Sequence, residues 1–202
     1  MNKLNITEIA PCRQVIFLAT SGAYHRQFFG TAPDDAKSKN PVCWSVDSKK
    51  PDDAVVNKQS KFCVTCSQNI QGSGFGSSKA CKIHLKTAVC YPNMGDIYQL
   101  VLTGMSLFSK DFGFKQYAKK MQSQGIHLRN VITRICVEEY EGFNYLSFSP
   151  KAHLVRAQID EVSKKSKGEV VHECLRFSSK KSSKLTDIQI MMGMSNDEYF
   201  NF

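Results

Sequence analysis

The sequence predicts a mainly β fold that also contains helices, and three features lead to this prediction. Short runs of β-branched and aromatic residues, bounded by turn residues, recur along the chain and are typical of strands. The first of these runs is Val15–Thr20, which Ser21 and Gly22 close. A long polar segment, residues 31–79, then interrupts the pattern with three prolines and no sustained apolar period. Two later stretches instead place apolar residues at helical spacing.

Two strands follow the polar segment and form a hairpin. In residues 82–91 apolar side chains alternate with Lys82 and Lys86, which predicts a strand with one outward basic face. Residues 97–103 supply the return strand, because the sequence PNMGD that separates the two runs is typical of a turn.

The remaining elements are two helices and another pair of strands. Residues 109–125 predict a helix with Ser109 as its cap and Gly125 as its stop. The sequence NVITRICVEEYEGFNYLSFSP predicts two strands around a turn at 141–142. Residues 151–165 predict an amphipathic helix.

The predicted order is strand, insertion, strand, strand, helix, strand, strand, which is typical of an OB-fold, a five-stranded barrel. A helix-bearing β-sandwich stays open, because the order of strands in a sheet does not follow from sequence alone. We therefore predict an OB-fold-like domain over residues 1–165 that includes an insertion at 31–81. Residues 166–202 are predicted to be a basic linker and a flexible C-terminal tail.

Composition indicates the kind of partner and the cellular compartment to expect. The chain has 202 residues, 42% of them hydrophobic, and a formal net charge of +9, so a polyanion such as nucleic acid is the expected partner. No stretch approaches the roughly 18 apolar residues of a membrane span. The N-terminal apolar run, Val15–Ala19, is short and follows Glu8 and Pro11, which makes a poor signal peptide. We expect a cytoplasmic protein, in the host cell if it is viral, with no membrane partner.

Four cysteines in or beside the polar segment predict a metal site. They are Cys43, Cys63, Cys66 and Cys81. A Cys-x-x-Cys turn directs two thiolates at one ion, and two more distant cysteines complete a tetrahedron. Zinc suits four sulfur ligands, and such a closed site is structural. Metal binding supplies about 10 kcal/mol of apparent folding energy to a segment without an apolar core.

Other interpretations of the cysteines stay open at this point. His84 is the main rival of Cys43 for the fourth ligand position, because its spacing from Cys81 is also usable. A thioredoxin-like redox pair would place Cys-x-x-Cys at the start of a helix, and simple packing is the third option. Cys90, Cys136 and Cys174 are interpreted as buried thiols without a special role, and Cys12 is left unassigned.

Basic and aromatic residues on the predicted strands suggest a surface for single-stranded nucleic acid, which such proteins bind with cationic grooves and stacking rings. The candidate contacts are Lys82, Lys86, Tyr91, Tyr98, Arg134, Phe143 and Tyr145. The alternative for each aromatic residue is burial in the core, since every strand of a sheet buries at least one face.

The end of the chain is acidic and aromatic, and it resembles the tails of phage-type and bacterial single-stranded DNA-binding proteins. The residues that carry this resemblance are Asp197, Glu198, Tyr199, Phe200 and Phe202. The resemblance implies that this tail docks on replication or recombination proteins. A frayed terminus or a short helix is the alternative.

The cysteine segment resembles a set of tailed-phage proteins through a Pro-x-Cys-x-Ser start, a Gln-Ser before Cys-x-x-Cys, a Gly-Ser and a Lys-Ala-Cys close. The matching positions are Pro41, Cys43, Ser45, Gln59, Ser60, Cys63, Cys66, Gly72, Ser73, Lys79, Ala80 and Cys81. The resemblance continues weakly to residue 150. It implies an OB-fold single-stranded DNA-binding protein with a zinc-binding insertion, acting in phage DNA replication or recombination.

Two other function classes are alternatives to a sequence-tolerant DNA binder. A zinc-ribbon adaptor would work through protein contacts in replication or transcription. A nuclease would need clustered carboxylates, but Glu138 and Glu139 are neighbours on a predicted strand and point to opposite faces. We expect no enzymatic activity. The sequence leaves open whether the protein forms a homo-oligomer.

Overall fold

The structure, a computed structural model, describes residues 12–30, 40–140 and 143–177. The predicted tail contacts lie outside these residues. The strands are β1 (Cys12–Thr20), β2 (His25–Phe28), β3 (Cys43–Ser45), β4 (Lys82–Cys90), β5 (Ile97–Thr103), β6 (Val131–Tyr140) and β7 (Phe143–His153). The helices are α1 (Gly104–Phe108), α2 (Phe114–Ser123), α3 (Arg156–Lys165) and α4 (Glu169–Leu175). No helix of this described part is long and apolar enough to cross a membrane.

The seven strands belong to one open antiparallel sheet, so the prediction of a mainly β fold is confirmed. The strand order is β3-β2-β4-β1-β6-β7, and β5 pairs with β4 outside this path. Among the described strands these pairings do not close a barrel. The described residues divide into two compact units, the first formed by residues 12–21 and 86–176, the second by residues 22–30, 40–85 and 177. Strand β4 runs through both.

The core of the first unit forms on both faces of β1. On one face Ile16 and Leu18 pack in a buried cluster with Val162 of α3 and Val171 of α4. On the other face the Phe17 ring lies 4.9 Å from the ring of Phe114 in α2. Burial on two faces explains why the β1 sequence is continuously apolar and does not alternate.

Burial on two faces also overturns one prediction for β4. Every residue from His84 to Cys90 is buried, including Lys86, so the predicted outward basic face is wrong there. The physical reason is that β4 lies inside the sheet, paired with β1, β2 and β5. The Lys86 ammonium donates a hydrogen bond to the Arg176 carbonyl at 2.7 Å, which compensates its burial.

The helices differ from the predictions in where they begin. The predicted helix 109–125 begins five residues later, at Phe114, and the Ser109 hydroxyl instead accepts the Asp111 amide at 3.3 Å. The predicted stop is confirmed, since Gly125 adopts a φ of 71°. Strand β7 extends to His153, so the next helix begins only at Arg156.

Part of the predicted linker is helical. Helix α4 lies within the region assigned to it, and Val171 of that helix is almost fully buried. An apolar side chain at this position therefore ties the segment into the core of the first unit, which composition alone did not indicate.

We predict that Tyr117→Phe lowers the free energy of unfolding by about 1 kcal/mol. The Tyr117 hydroxyl lies 2.8 Å from the Thr133 hydroxyl, both groups are buried, and the substitution leaves Thr133 without this partner. Urea denaturation followed by circular dichroism measures the change. The exposed substitution Lys119→Ala on the same helix is the control and is expected to change stability by less than about 0.5 kcal/mol. Equal midpoints for both variants would contradict the prediction.

Candidate metal centre and candidate nucleic-acid interface

The four predicted metal ligands line one cavity of about 20 Å³ inside the second unit. Cys43 begins β3, Cys63 and Cys66 bound a short 3₁₀ turn, and Cys81 immediately precedes β4. Two backbone hydrogen bonds position the turn and its partner. The Cys63 amide donates to the Lys49 carbonyl at 2.9 Å, and the Cys81 amide donates to the Gln68 carbonyl at 2.8 Å.

A side chain between the cysteines stabilises the Cys-x-x-Cys turn. The Asn69 amide nitrogen donates to the Cys63 carbonyl at 2.9 Å, and its oxygen accepts from Arg26 at 2.8 Å. The turn consists of two successive 3₁₀ segments, Cys63–Thr65 and Ser67–Asn69. A redox pair would stand at the start of an α-helix, so this local structure favours metal binding over thiol-disulfide exchange.

The thiols are close enough to influence one another. Burial is the main cause that raises the pKa of Cys43 and of Cys63, and it raises the pKa of Cys81 to about 11. Charge on Cys63 or Cys66 raises the pKa of Cys43 and Cys81 further. Without a cation, the cavity therefore favours protonated thiols, and a metal ion would have to displace those protons.

Each of three thiols also has a hydrogen-bond donor that favours its thiolate form. The donors are the Gln59 backbone amide at Cys43, the Ser45 hydroxyl at Cys63 and the Arg26 guanidinium at Cys81. Such donors surround the thiolates of metal sites, where they orient the sulfur and stabilise its charge.

The donor set fits zinc in its chemistry, because thiolates are zinc ligands. In the described part of the chain, however, no group of three or more His, Cys, Asp or Glu side chains is placed so that it could hold a metal ion. His84, the rival ligand, is buried in β4 opposite His25 and is not among the residues that line the cavity. Cys43, and not His84, therefore lines the cavity together with the other three cysteines.

Two of the predicted nucleic-acid contacts are engaged inside the protein. Lys86 is 8% exposed. Tyr145 is also 8% exposed, its ring stacks on Phe112 with centroids 3.9 Å apart, and its hydroxyl donates to Glu138 at 3.0 Å. The prediction that these two side chains lie on an open surface is wrong. Lys86 is buried against the residue that follows α4, and Tyr145 is buried against the segment before α2.

The other candidates differ in access. Lys82 is half-buried, and its ammonium donates to Ser78 at 3.2 Å. Burial lowers the pKa of Lys82. Tyr91 and Tyr98 are half-buried and meet edge to face, with ring centroids 5.2 Å apart. Phe143 begins β7, and its side chain lies outside the described residues.

Arg134 is exposed and lies in an open cleft of about 530 Å³ in the first unit. Cys12, Arg13, Gln14, Pro92 and Arg134 line this cleft. It forms because β1 and β6 pair with Gln14 directly opposite Arg134. Two guanidinium groups and an amide provide donors suited to phosphate oxygens.

Arg13 and a disulfide beside it are features that local sequence patterns did not indicate. Cys12 and Cys136 are directly opposite one another on β1 and β6 and form a disulfide, so the interpretation of Cys136 as a buried free thiol is wrong. Arg134 donates to the Cys12 sulfur at 3.3 Å. Only the register of the two strands brings these groups together.

Comparison of the chain with protein-family models, curated proteins and solved structures finds no match.

We predict that Asn69→Ala destabilises the second unit by about 1 to 3 kcal/mol, because it removes one hydrogen bond to the Cys63 carbonyl and one from Arg26. Trp44, the single tryptophan of the chain, lines the cavity, so its fluorescence during urea unfolding reports on this unit. Gln71→Ala, at an exposed position of the same segment, is the control. A midpoint that does not move with Asn69→Ala would remove this residue from the support of the turn.

Proposed function

We propose that the protein is a sequence-tolerant single-stranded DNA-binding protein of the phage type, acting in DNA replication or recombination, with one structural Zn²⁺. The observation that carries the DNA-binding part is the open cleft that exposes Arg134 and that Gln14 and the half-buried Arg13 also line. The chain has a formal net charge of +9, which favours a polyanionic partner.

The pairings of the first unit support an OB-like arrangement within this proposal. Strands β5, β4, β1, β6 and β7 are neighbours in that order, and α2 lies between β5 and β6 in the chain. A further pairing between β5 and β7 would close these five strands into a barrel. OB-folds are partly open barrels that bind oligonucleotides on a strand face, and the cleft lies on such a face between β1 and β6.

The proposed zinc ligands are Cys43, Cys63, Cys66 and Cys81. Zn²⁺, when bound, supplies a cross-link among four thiolates and leaves no position for a reacting water. Between residues 40 and 81 the buried aliphatic, aromatic and cysteine side chains are Val55, Cys63 and Cys66, so the segment has little apolar core of its own. The ion would replace the stabilisation that such a core provides.

Contact with DNA would be made chiefly through phosphates. Arg13 and Arg134 present planar guanidinium groups that pair with phosphate oxygens and release the counterions bound to them. Contacts of this kind do not distinguish bases, which fits sequence-tolerant binding. Tyr91, which follows β4, is the neighbour in sequence of Pro92 in the cleft, and its ring contacts that of Tyr98 near the start of β5.

We predict that native mass spectrometry of the purified protein finds one Zn²⁺ per chain and that Cys63→Ser loses it. Serine cannot supply the thiolate, and the serine variant is expected to show the Trp44 fluorescence of the chelator-treated protein. Cys174→Ser is the control, because Cys174 belongs to α4 and does not line the cavity. A wild-type chain without metal, or zinc retained by Cys63→Ser, would contradict the zinc proposal.

We predict that Arg134→Ala weakens binding to oligo-dT and lowers the slope of log Kd against log salt by about 0.7, the value expected for one lost phosphate contact on a single strand. Fluorescence anisotropy over a salt series measures both quantities. Lys119→Ala removes the same charge from an exposed position on α2 and is expected to leave the slope unchanged. Absent or salt-independent binding by the wild-type protein would overturn the proposed function, whereas equal effects of the two variants would exclude the cleft.

A further inference from the structure

The second unit exposes an unusual number of large apolar side chains. Six of the nine such side chains in the described residues lie between residues 46 and 75. They are Val46, Val56, Phe62, Val64, Ile70 and Phe75. Concentration of exposed apolar residues in one short segment indicates a contact surface, whereas scattered ones need no explanation.

Phe75 stands at the tip of a tightly bonded loop, residues 72–78. The amides of Gly72 and Gly74 both donate to the Ser78 carbonyl, at 3.0 and 2.9 Å, and the Ser78 amide donates to the Phe75 carbonyl at 3.1 Å. These three hydrogen bonds hold the loop together, and Phe75 at its tip is 86% exposed. A fixed loop that presents a bare aromatic ring is arranged for contact with something outside the unit.

A second ring, Phe62, precedes the Cys-x-x-Cys turn and is 49% exposed. The ammonium of Lys61 lies 5.5 Å from the centre of this ring. Phe62 lines the cavity, and the backbone beside it is held where the Cys63 amide donates to the Lys49 carbonyl. A cation and an aromatic face are thus presented together.

The charge around both rings selects the kind of partner. Residues 54–81 contain Lys58, Lys61 and Lys79 and no aspartate or glutamate. The Lys58 ammonium lies 3.7 Å from the Asp53 carboxylate. The Lys79 ammonium donates to the Asn69 side-chain oxygen at 3.4 Å and forms no ion pair with the described residues. Flat rings in a segment with cations and without acids suit a flexible polyanion whose own flat groups stack on them.

We propose that Phe62 and Phe75 are base-stacking positions for single-stranded DNA on the proposed zinc-binding segment, with Lys61 and Lys79 available to its phosphates. This inference rests on the proposed function and extends it from the arginine cleft to a second contact surface. Stacking is tolerant of sequence because every base has a π face, so it adds affinity without base preference.

The test compares Phe62→Ala, Phe75→Ala and the double variant on two ligands of equal length, oligo-dT and an abasic oligonucleotide. Each substitution is expected to weaken oligo-dT binding at least about fivefold and to leave abasic binding unchanged, because only the former offers bases to stack. Phe108→Ala, which removes an aromatic ring that is 38% exposed on α1 of the first unit, is the matched control. Trp44 fluorescence and zinc content verify that the variants keep the fold of this unit. Phe75→Ala is the variant least able to disturb that fold, because Phe75 lies exposed at the loop tip.

The outcomes separate this inference from the proposed function. Unchanged oligo-dT affinity of the double variant would overturn the inference and favour a protein partner for this surface, while the effect of Arg134→Ala on the same oligo-dT would still support DNA binding. Equal losses on both ligands would overturn it as well, because phosphate contacts and not stacking would then be affected. A wild-type protein that binds neither ligand would remove the proposed function itself.

Discussion

The second unit depends on the convergence of four cysteines on one cavity. Its segment from residue 40 to residue 81 is made of turns, one short strand and two 3₁₀ segments, and it buries few apolar side chains. Backbone hydrogen bonds at Cys63 and Cys81 fix the approach of the thiols, and Asn69 ties the turn to Arg26. Thiols alone contribute little to holding such a segment, and burial raises the pKa of Cys43, Cys63 and Cys81, which favours their protonated forms. A cation that replaced those protons would convert the cavity into a cross-link, so the role of the proposed Zn²⁺ would be to stabilise the segment.

The first unit is stabilised in the opposite way, by a sheet with apolar side chains on both faces. Strand β1 packs Ile16 and Leu18 against α3 and α4, and Phe17 against α2. This core is apolar from Val15 to Leu18 and leaves Arg13 and Gln14 at the start of β1. The pairing of β1 with β6 places Gln14 opposite Arg134, the fourth residue of β6. The side of the proposed DNA-binding cleft that β1 supplies is therefore a consequence of where the apolar run in β1 begins.

Local patterns in the sequence predicted most strands but not their environment. Runs of β-branched residues placed β4, β5, β6 and β7 within a few residues, since such runs favour extended backbone wherever they pack. Burial of Lys86 depends on neighbours of β4 that are distant in sequence, and alternation could not reveal them. The proximity of Cys63 and Cys66 was predictable, because a Cys-x-x-Cys spacing brings two thiols together in one turn. Arg13 and the Cys12–Cys136 disulfide were not, because both depend on the register of β1 against β6.

The proposed zinc site also bears on how the two candidate surfaces would divide the work of binding. One Zn²⁺ with four thiolates carries a net charge of −2, whereas residues 54–81 contribute three lysines and no acid. Residues 43–81, which hold all four proposed ligands, contain five lysines and three aspartates, so zinc binding would leave this stretch with a net charge of 0. Arg26 cannot make up the difference, because its guanidinium is committed to Asn69 and Cys81. Attraction of phosphates would then come mainly from the arginine cleft, and the exposed rings of the cysteine segment would act by stacking, which depends much less on salt. A division of this kind places the salt-dependent and the base-dependent parts of DNA binding on separate residues.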